Sequence, residues 1–191
     1  MADERKEPWL NLLALTTVIL AVCATLATFK GGGYSTRSIL SQSRASDQWA
    51  FYQAKSIKGH TYEMAKEKLE LDLKALGPKA PEDVVAAYRK KLEDYGRSLA
   101  KYEAEKAAIQ AEAKACEASR DEAQRFSQAF GKAVIYLQIG ILLSSIAALL
   151  KRKPVYYLGL AVGAIGFVTF AYSLCLTWQG AHWLHFWPMA G

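Results

Sequence analysis

Three long stretches of this chain hold no Asp, Glu, Lys, Arg or His, and they bracket a middle that is dense in charge. That arrangement limits the fold more than any other feature. The first stretch runs from Trp9 to Phe29, the second from Ala133 to Leu150 and the third from Val155 to Trp178. A helix rises about 1.5 Å per residue, so about 20 apolar residues cross a hydrocarbon core of about 30 Å. The reading is an all-α membrane protein with three transmembrane helices. A signal peptide is the competing reading of the first stretch. Its 21 uncharged residues exceed a usual signal core, which favours a retained anchor.

The second and third stretches are separated only by Lys151, Arg152, Lys153 and Pro154, so their helices must be antiparallel neighbours. Pro154 stands where a helix can begin. Gly159, Gly163 and Gly166 mark a small-residue face on the third helix, as Ala21 and Thr25 do on the first. Such faces let backbones approach closely in lipid, within one chain or between chains. Gln138, Ser144 and Ser145 are the notable polar groups of the second helix. Without an ionisable group in a span, a pump or secondary transporter acting alone is disfavoured.

Between the anchors, residues 30–131 have few helix breakers. Gly77-Pro78 and Pro81 interrupt them, and Pro81-Glu82-Asp83 reads as a helix start with acids in its first turn. Two long helices joined by a turn near 77–81 follow, the whole forming an antiparallel coiled-coil hairpin. In the second arm one heptad series is Tyr88, Tyr95, Tyr102, Ile109, Cys116, Ala123 and Phe130. The other runs Val85, Leu92, Leu99, Lys106, Ala113, Arg120 and Ser127, and loses its apolar character after Leu99. The first arm answers with Ala50, Ala54, Ile57, Thr61, Ala65, Leu69, Leu73 and Leu76. Gly31-Gly32-Gly33 reads as a flexible joint above the first anchor.

The net charge of +6 could suit a nucleic-acid protein, but residues 30–130 interleave 18 basic with 15 acidic side chains. Mixed charge of that kind marks solvated helix faces rather than a phosphate-binding stripe, so no nucleic-acid partner is expected. Lys151, Arg152 and Lys153 in a short link predict that the link and the N-terminal tail (residues 1–8) are cytoplasmic. The hairpin then lies outside, in the periplasm of a Gram-negative cell. A cytoplasmic hairpin is the alternative, since basic residues also flank it.

Chemistry is sparse. Cys23, Cys116 and Cys175 have no metal or redox spacing. His182 and His185 have a spacing that two metal ligands can share, but residues 179–191 are aromatic-rich and follow a membrane span, which suits an interfacial belt. No phosphate loop, nucleophile motif or carboxylate pair is present. No catalytic, cofactor-binding or metal site is expected, and the chain is not expected to be an enzyme. The most singular stretch is Ser46-Asp47-Gln48-Trp49-Ala50-Phe51-Tyr52-Gln53-Ala54-Lys55-Ser56-Ile57-Lys58. Trp49, Phe51 and Tyr52 point in at least two directions around a helix, so part of this aromatic surface is a candidate interaction site.

That stretch, with the preceding LALTTVILAVCATLATFKGGGYS, resembles the bacterial family catalogued as domain of unknown function 4337. So does the order of one anchor, a charged helical region and two further anchors. The resemblance implies a bacterial inner-membrane protein and no established activity. The sequence therefore points first to a structural or interaction protein that contacts the lipid bilayer, forms a homo-oligomer and presents its hairpin to a protein partner. A membrane-protein insertase, which shares the layout of a hairpin between the first two of three core helices, is one alternative. A subunit of an oligomeric channel, lined by groups such as Thr16, Thr17, Thr25 or Ser144, is another.

Overall fold

A computed structural model describes residues 8–77 and 81–184, with side chains from Trp9 to Trp178. The described residues form three helices and no strand: α1 (Pro8–Leu76), α2 (Glu82–Leu150) and α3 (Lys153–Leu184). Each is long and apolar enough over part of its length to cross a membrane. The N-terminal tail before Pro8, the turn residues 78–80 and the tail from His185 onward lie outside the described residues.

Two compact units make up the chain. The first joins residues up to 39 and from 120 onward, and so contains all three apolar segments. Its core is Leu20, Cys23, Ala24 and Ala27 of α1, Phe130, Ala133 and Leu137 of α2, and Phe170 of α3. A smaller cluster holds Leu13, Ala147 and Tyr156, with Trp9 and Val155 against it. Most core positions on α1 and α2 are small. That is what close helix packing in lipid requires, where no hydrophobic force drives helices together.

The glycines set how near the helices come. A Cβ on Gly140 would stand 2.8 Å from the Gly163 Cα, and one on Gly166 would stand 2.7 Å from the Leu137 backbone nitrogen. Gly159 meets Leu143 and Ser144 in the same way, and Gly163 receives the Leu20 side chain. The small face of α3 is thus used within the chain, against both α1 and α2.

The triple glycine is no joint. α1 continues unbroken through residues 31–33, contrary to the flexible break expected there. The physical reason is visible at Gly31. Its missing side chain admits Phe130, whose Cβ would lie 3.1 Å from an added Cβ, and the Ser127 hydroxyl donates to the Gly31 carbonyl at 3.1 Å. Tyr34, one turn on, packs on Phe126 at 5.1 Å and stacks on Phe130 at 6.1 Å between ring centroids. These tertiary contacts offset the cost of glycine in a helix, about 1 kcal/mol per residue.

Residues 40–119 form the second unit, a pair of antiparallel helices. Gly77, at φ 68°, ends its first arm in the left-handed conformation that glycine takes without strain. The second arm starts with Glu82 and Asp83 in its first turn, and the Val85 N–H donates to the Pro81 carbonyl at 3.2 Å.

The α2–α3 connection is a tight helix stop. The Arg152 N–H donates to the Ala147 carbonyl at 3.3 Å, and Lys151 takes the left-handed conformation at φ 50°. That is the Schellman arrangement, with lysine at the position usually held by glycine.

Candidate functional site

The hairpin unit carries most of the charged and hydrogen-bonding side chains, so its two faces are where function must be sought. On α2 both heptad series turn inward, including the members that looked degraded: Lys106 is half-buried and Ala113 fully buried. On α1 the inward positions are Ser41, Ala45, Gln48, Tyr52, Lys55, Gly59, Tyr62, Lys66, Leu69 and Leu73. The spacing alternates three and four throughout. The register expected from apolar residues alone coincides with the inward one only at Leu69 and Leu73, and Leu76 is exposed. Ala50, Ala54, Ile57 and Thr61 are exposed.

Polar pairs explain why the inward register wins. The Ser41 and Ser119 hydroxyls are 3.4 Å apart, the Trp49 indole N–H donates to the Glu117 carboxylate at 2.9 Å, and the Lys55 ammonium meets Glu105 at 2.5 Å. Lys55 also lies over the Tyr102 ring at 5.4 Å, and Lys106 over the Tyr52 ring at 5.6 Å. Tyr62 packs on Tyr95 and Tyr102. A lysine stem laid along an aromatic face buries apolar area while its charge stays paired. The Lys55 hydrogen bond holds the Glu105 carboxyl below its ordinary range, and Glu103 holds Lys106 above its own.

The three aromatic candidates separate. Trp49 and Tyr52 are half-buried, edge to face at 5.6 Å, and both engage α2. Phe51 is 60% exposed. It is not alone outside. Ile57, Met64 and Leu71 are 67%, 70% and 64% exposed, and they recur every seven residues on the side of α1 opposite the inward seam. Sequence reasoning had Ile57 but placed it inside, and missed Met64 and Leu71. Their seven-residue spacing was the available signal.

Elsewhere the chemistry is modest. Lys151, Arg152 and Lys153 are exposed in the α2–α3 link. Gly159, Gly163 and Gly166 are buried packing positions. Among the described residues no group of three His, Cys, Asp or Glu is placed to hold a metal ion. His60 contacts Glu63 at 3.2 Å on an exposed turn. His182 has no described side chain, and His185 lies outside the described residues. Cys23 is buried, Cys116 half-buried and Cys175 exposed, all as free thiols. An open groove of about 570 Å³ follows α1 past Phe29, Lys30, Gly33 and Arg37. It is lined by one helix only and encloses nothing.

The model of a family described as domain of unknown function, DUF4337, matches residues 9–176. The chain belongs to that family. The DUF4337 match spans the first two apolar segments, all but the last two residues of the third, and the whole hairpin unit, including the polar pairs and the outward stripe. No curated protein and no solved structure matches the chain.

Proposed function

We propose that this DUF4337 protein is a structural or interaction protein of a bacterial inner membrane, with no catalytic role of its own. Three helices anchor it, and the hairpin, a coiled coil, presents a surface to a protein partner. One observation carries this reading: the hairpin's inward polar groups Lys55, Lys106 and Glu117 are matched within the hairpin, while large apolar side chains of α1 face outward. A catalytic site would keep polar groups free and leave apolar ones covered. A docking surface has the reverse pattern.

The basic α2–α3 link supports a hairpin on the far side of the membrane from the cytoplasm. The test is purification of the whole chain in mild detergent with sizing, together with in-cell crosslinking. A monomer that crosslinks to nothing in cells refutes the proposal. Orientation is read separately by placing a cysteine at Lys74 in a chain lacking its native thiols and labelling intact spheroplasts with an impermeant reagent. Labelling supports the extracytoplasmic hairpin; protection lost on lysis overturns it.

A further inference from the structure

We infer that the chain binds one anionic phospholipid, with its headgroup held at the α2–α3 link and one acyl chain laid in a groove between α1 and α3. The inference needs the apolar segments to lie in a bilayer. It needs neither the hairpin's partner nor a given orientation of the chain.

The groove holds about 350 Å³. Ile19 of α1 and Leu160, Phe167 and Val168 of α3 wall it, each between 39% and 65% exposed. Its floor is Leu20 against Gly163, where the leucine side chain takes the space of the missing Cβ. Thr16 brings the one hydroxyl among the lining residues, and donates it to the Leu13 carbonyl at 2.9 Å. No side-chain polar group is left to hold water there, whereas a hydrocarbon chain needs none.

Depth selects the occupant. Lys153 opens α3, and Tyr157, Leu160, Ala164 and Val168 follow at steps of three or four residues, on one face of the helix. The groove continues the face that Lys153 begins. Trp9 of α1 lies 6.2 Å from Tyr156, and Tyr157 is exposed, so both helices set aromatic rings at the level of the link, as membrane interfaces do. Leu160 is about 10 Å along the helix from Lys153, and Val168 about 22 Å. Below a cation at the surface, a bilayer offers a headgroup layer of about 5–8 Å and then one leaflet of hydrocarbon about 15 Å deep. The groove occupies that leaflet. A phospholipid whose chain fills it therefore has its phosphate at the level of Lys153.

Charge selects the headgroup. Lys151, Arg152 and Lys153 are exposed in succession, and none pairs with an acid among the described residues. Residues 1–7 hold three acids and two bases, so they balance at most one of the three cations. A headgroup with net negative charge gains from such a cluster, whereas a zwitterionic one brings its own cation and gains far less. A free phosphate would meet the charge but leave the groove unfilled. The two features together call for lipid.

The test uses the whole chain in mild detergent and counts bound lipid by native mass spectrometry. Phosphatidylglycerol and phosphatidylcholine with the same acyl chains are the probes. One phosphatidylglycerol should stay bound at a concentration about tenfold or more below that needed for phosphatidylcholine. Replacing the three charges together, as Lys151→Gln, Arg152→Gln and Lys153→Gln, should bring that ratio to about one. Circular dichroism should show unchanged helix, because all three side chains are exposed. Ala164→Trp, at an exposed position of the groove, should weaken both lipids and leave the ratio in place. Inorganic phosphate should displace neither.

Equal retention of the two lipids by the native chain would overturn the inference. So would a preference that survives loss of the link charges, or retention that ignores Ala164→Trp. Displacement by phosphate alone would overturn the lipid in favour of a simple anion site. None of these outcomes bears on the hairpin reading, whose own test is crosslinking in cells.

Discussion

Lys151 occupies a backbone position where most residues are strained, and two predictions arise at the scale of single residues. Its φ of 50° costs a lysine about 1 kcal/mol that a glycine would not incur. Lys151→Gly should therefore raise thermal stability in detergent by up to about 1 kcal/mol, provided Arg152 and Lys153 still fix the orientation. Gly140 is the reverse case. A Cβ there would press on the Gly163 backbone, which has no flexible end to move aside. Gly140→Ala should lower the melting temperature, by overpacking worth about 1–3 kcal/mol. Gly131→Ala, with open space around it, should be neutral or raise stability by up to about 1 kcal/mol. Gly140 was not legible as special in the sequence, because its partner Gly163 lies on another helix and only the packed structure brings them together.

At the scale of the helix pair, sequence reasoning succeeded on α2 and slipped on α1 for one physical reason. It scored apolar character, and Tyr88, Tyr95 and Tyr102 satisfied that test. On α1 the inward face from Ser41 to Tyr62 is small, aromatic or charged, so the better apolar series, Ala50 to Ile57, drew the reading to the outer side. The clue available was that Lys55 and Glu105, or Trp49 and Glu117, could satisfy each other across two helices. These pairs also set a pH dependence. Glu105 binds its proton less readily folded than unfolded, through its bond to Lys55. It therefore adds stability above the ordinary carboxylate value of 4.5, and that stability is lost as pH falls through the lower folded value. Acid titration followed by circular dichroism should show the hairpin loosening in that range, and Glu105→Gln should flatten the response. Trp49→Phe should cost about 1 kcal/mol by removing the donor to Glu117, with the melting temperature as the readout.

At the scale of the whole molecule, length, apolar runs and breakers were enough to mark three segments able to cross a membrane, but not to show that the first two are continuous with the long helices α1 and α2. They could not give the division into units, because that depends on how deeply each stretch is buried. Ala27, Phe130, Ala133, Leu137 and Ala147 are fully buried in the first unit, while the second keeps mostly half-buried contacts along its seam. Local opening follows the density of buried apolar contact. Amide hydrogen exchange on the protein in nanodiscs should therefore be faster over residues 40–119 than around residues 130–147, by more than lipid shielding of the spans alone produces.

The glycines also divide by what surrounds them. Gly31, Gly140, Gly159, Gly163 and Gly166 each have a neighbour where a side chain would go, whereas Gly32, Gly33, Gly59, Gly96 and Gly131 have nothing within 4 Å. Selection sees only the first group. Among relatives that keep these helix contacts, those five positions should admit little beyond glycine, while the other five drift to alanine, serine or larger residues. The packed glycines then change slowly, Gly59 and Gly96 of the hairpin are replaced freely while Gly77 is held by its left-handed backbone, and inherited substitutions become a record of which helix faces have stayed in contact.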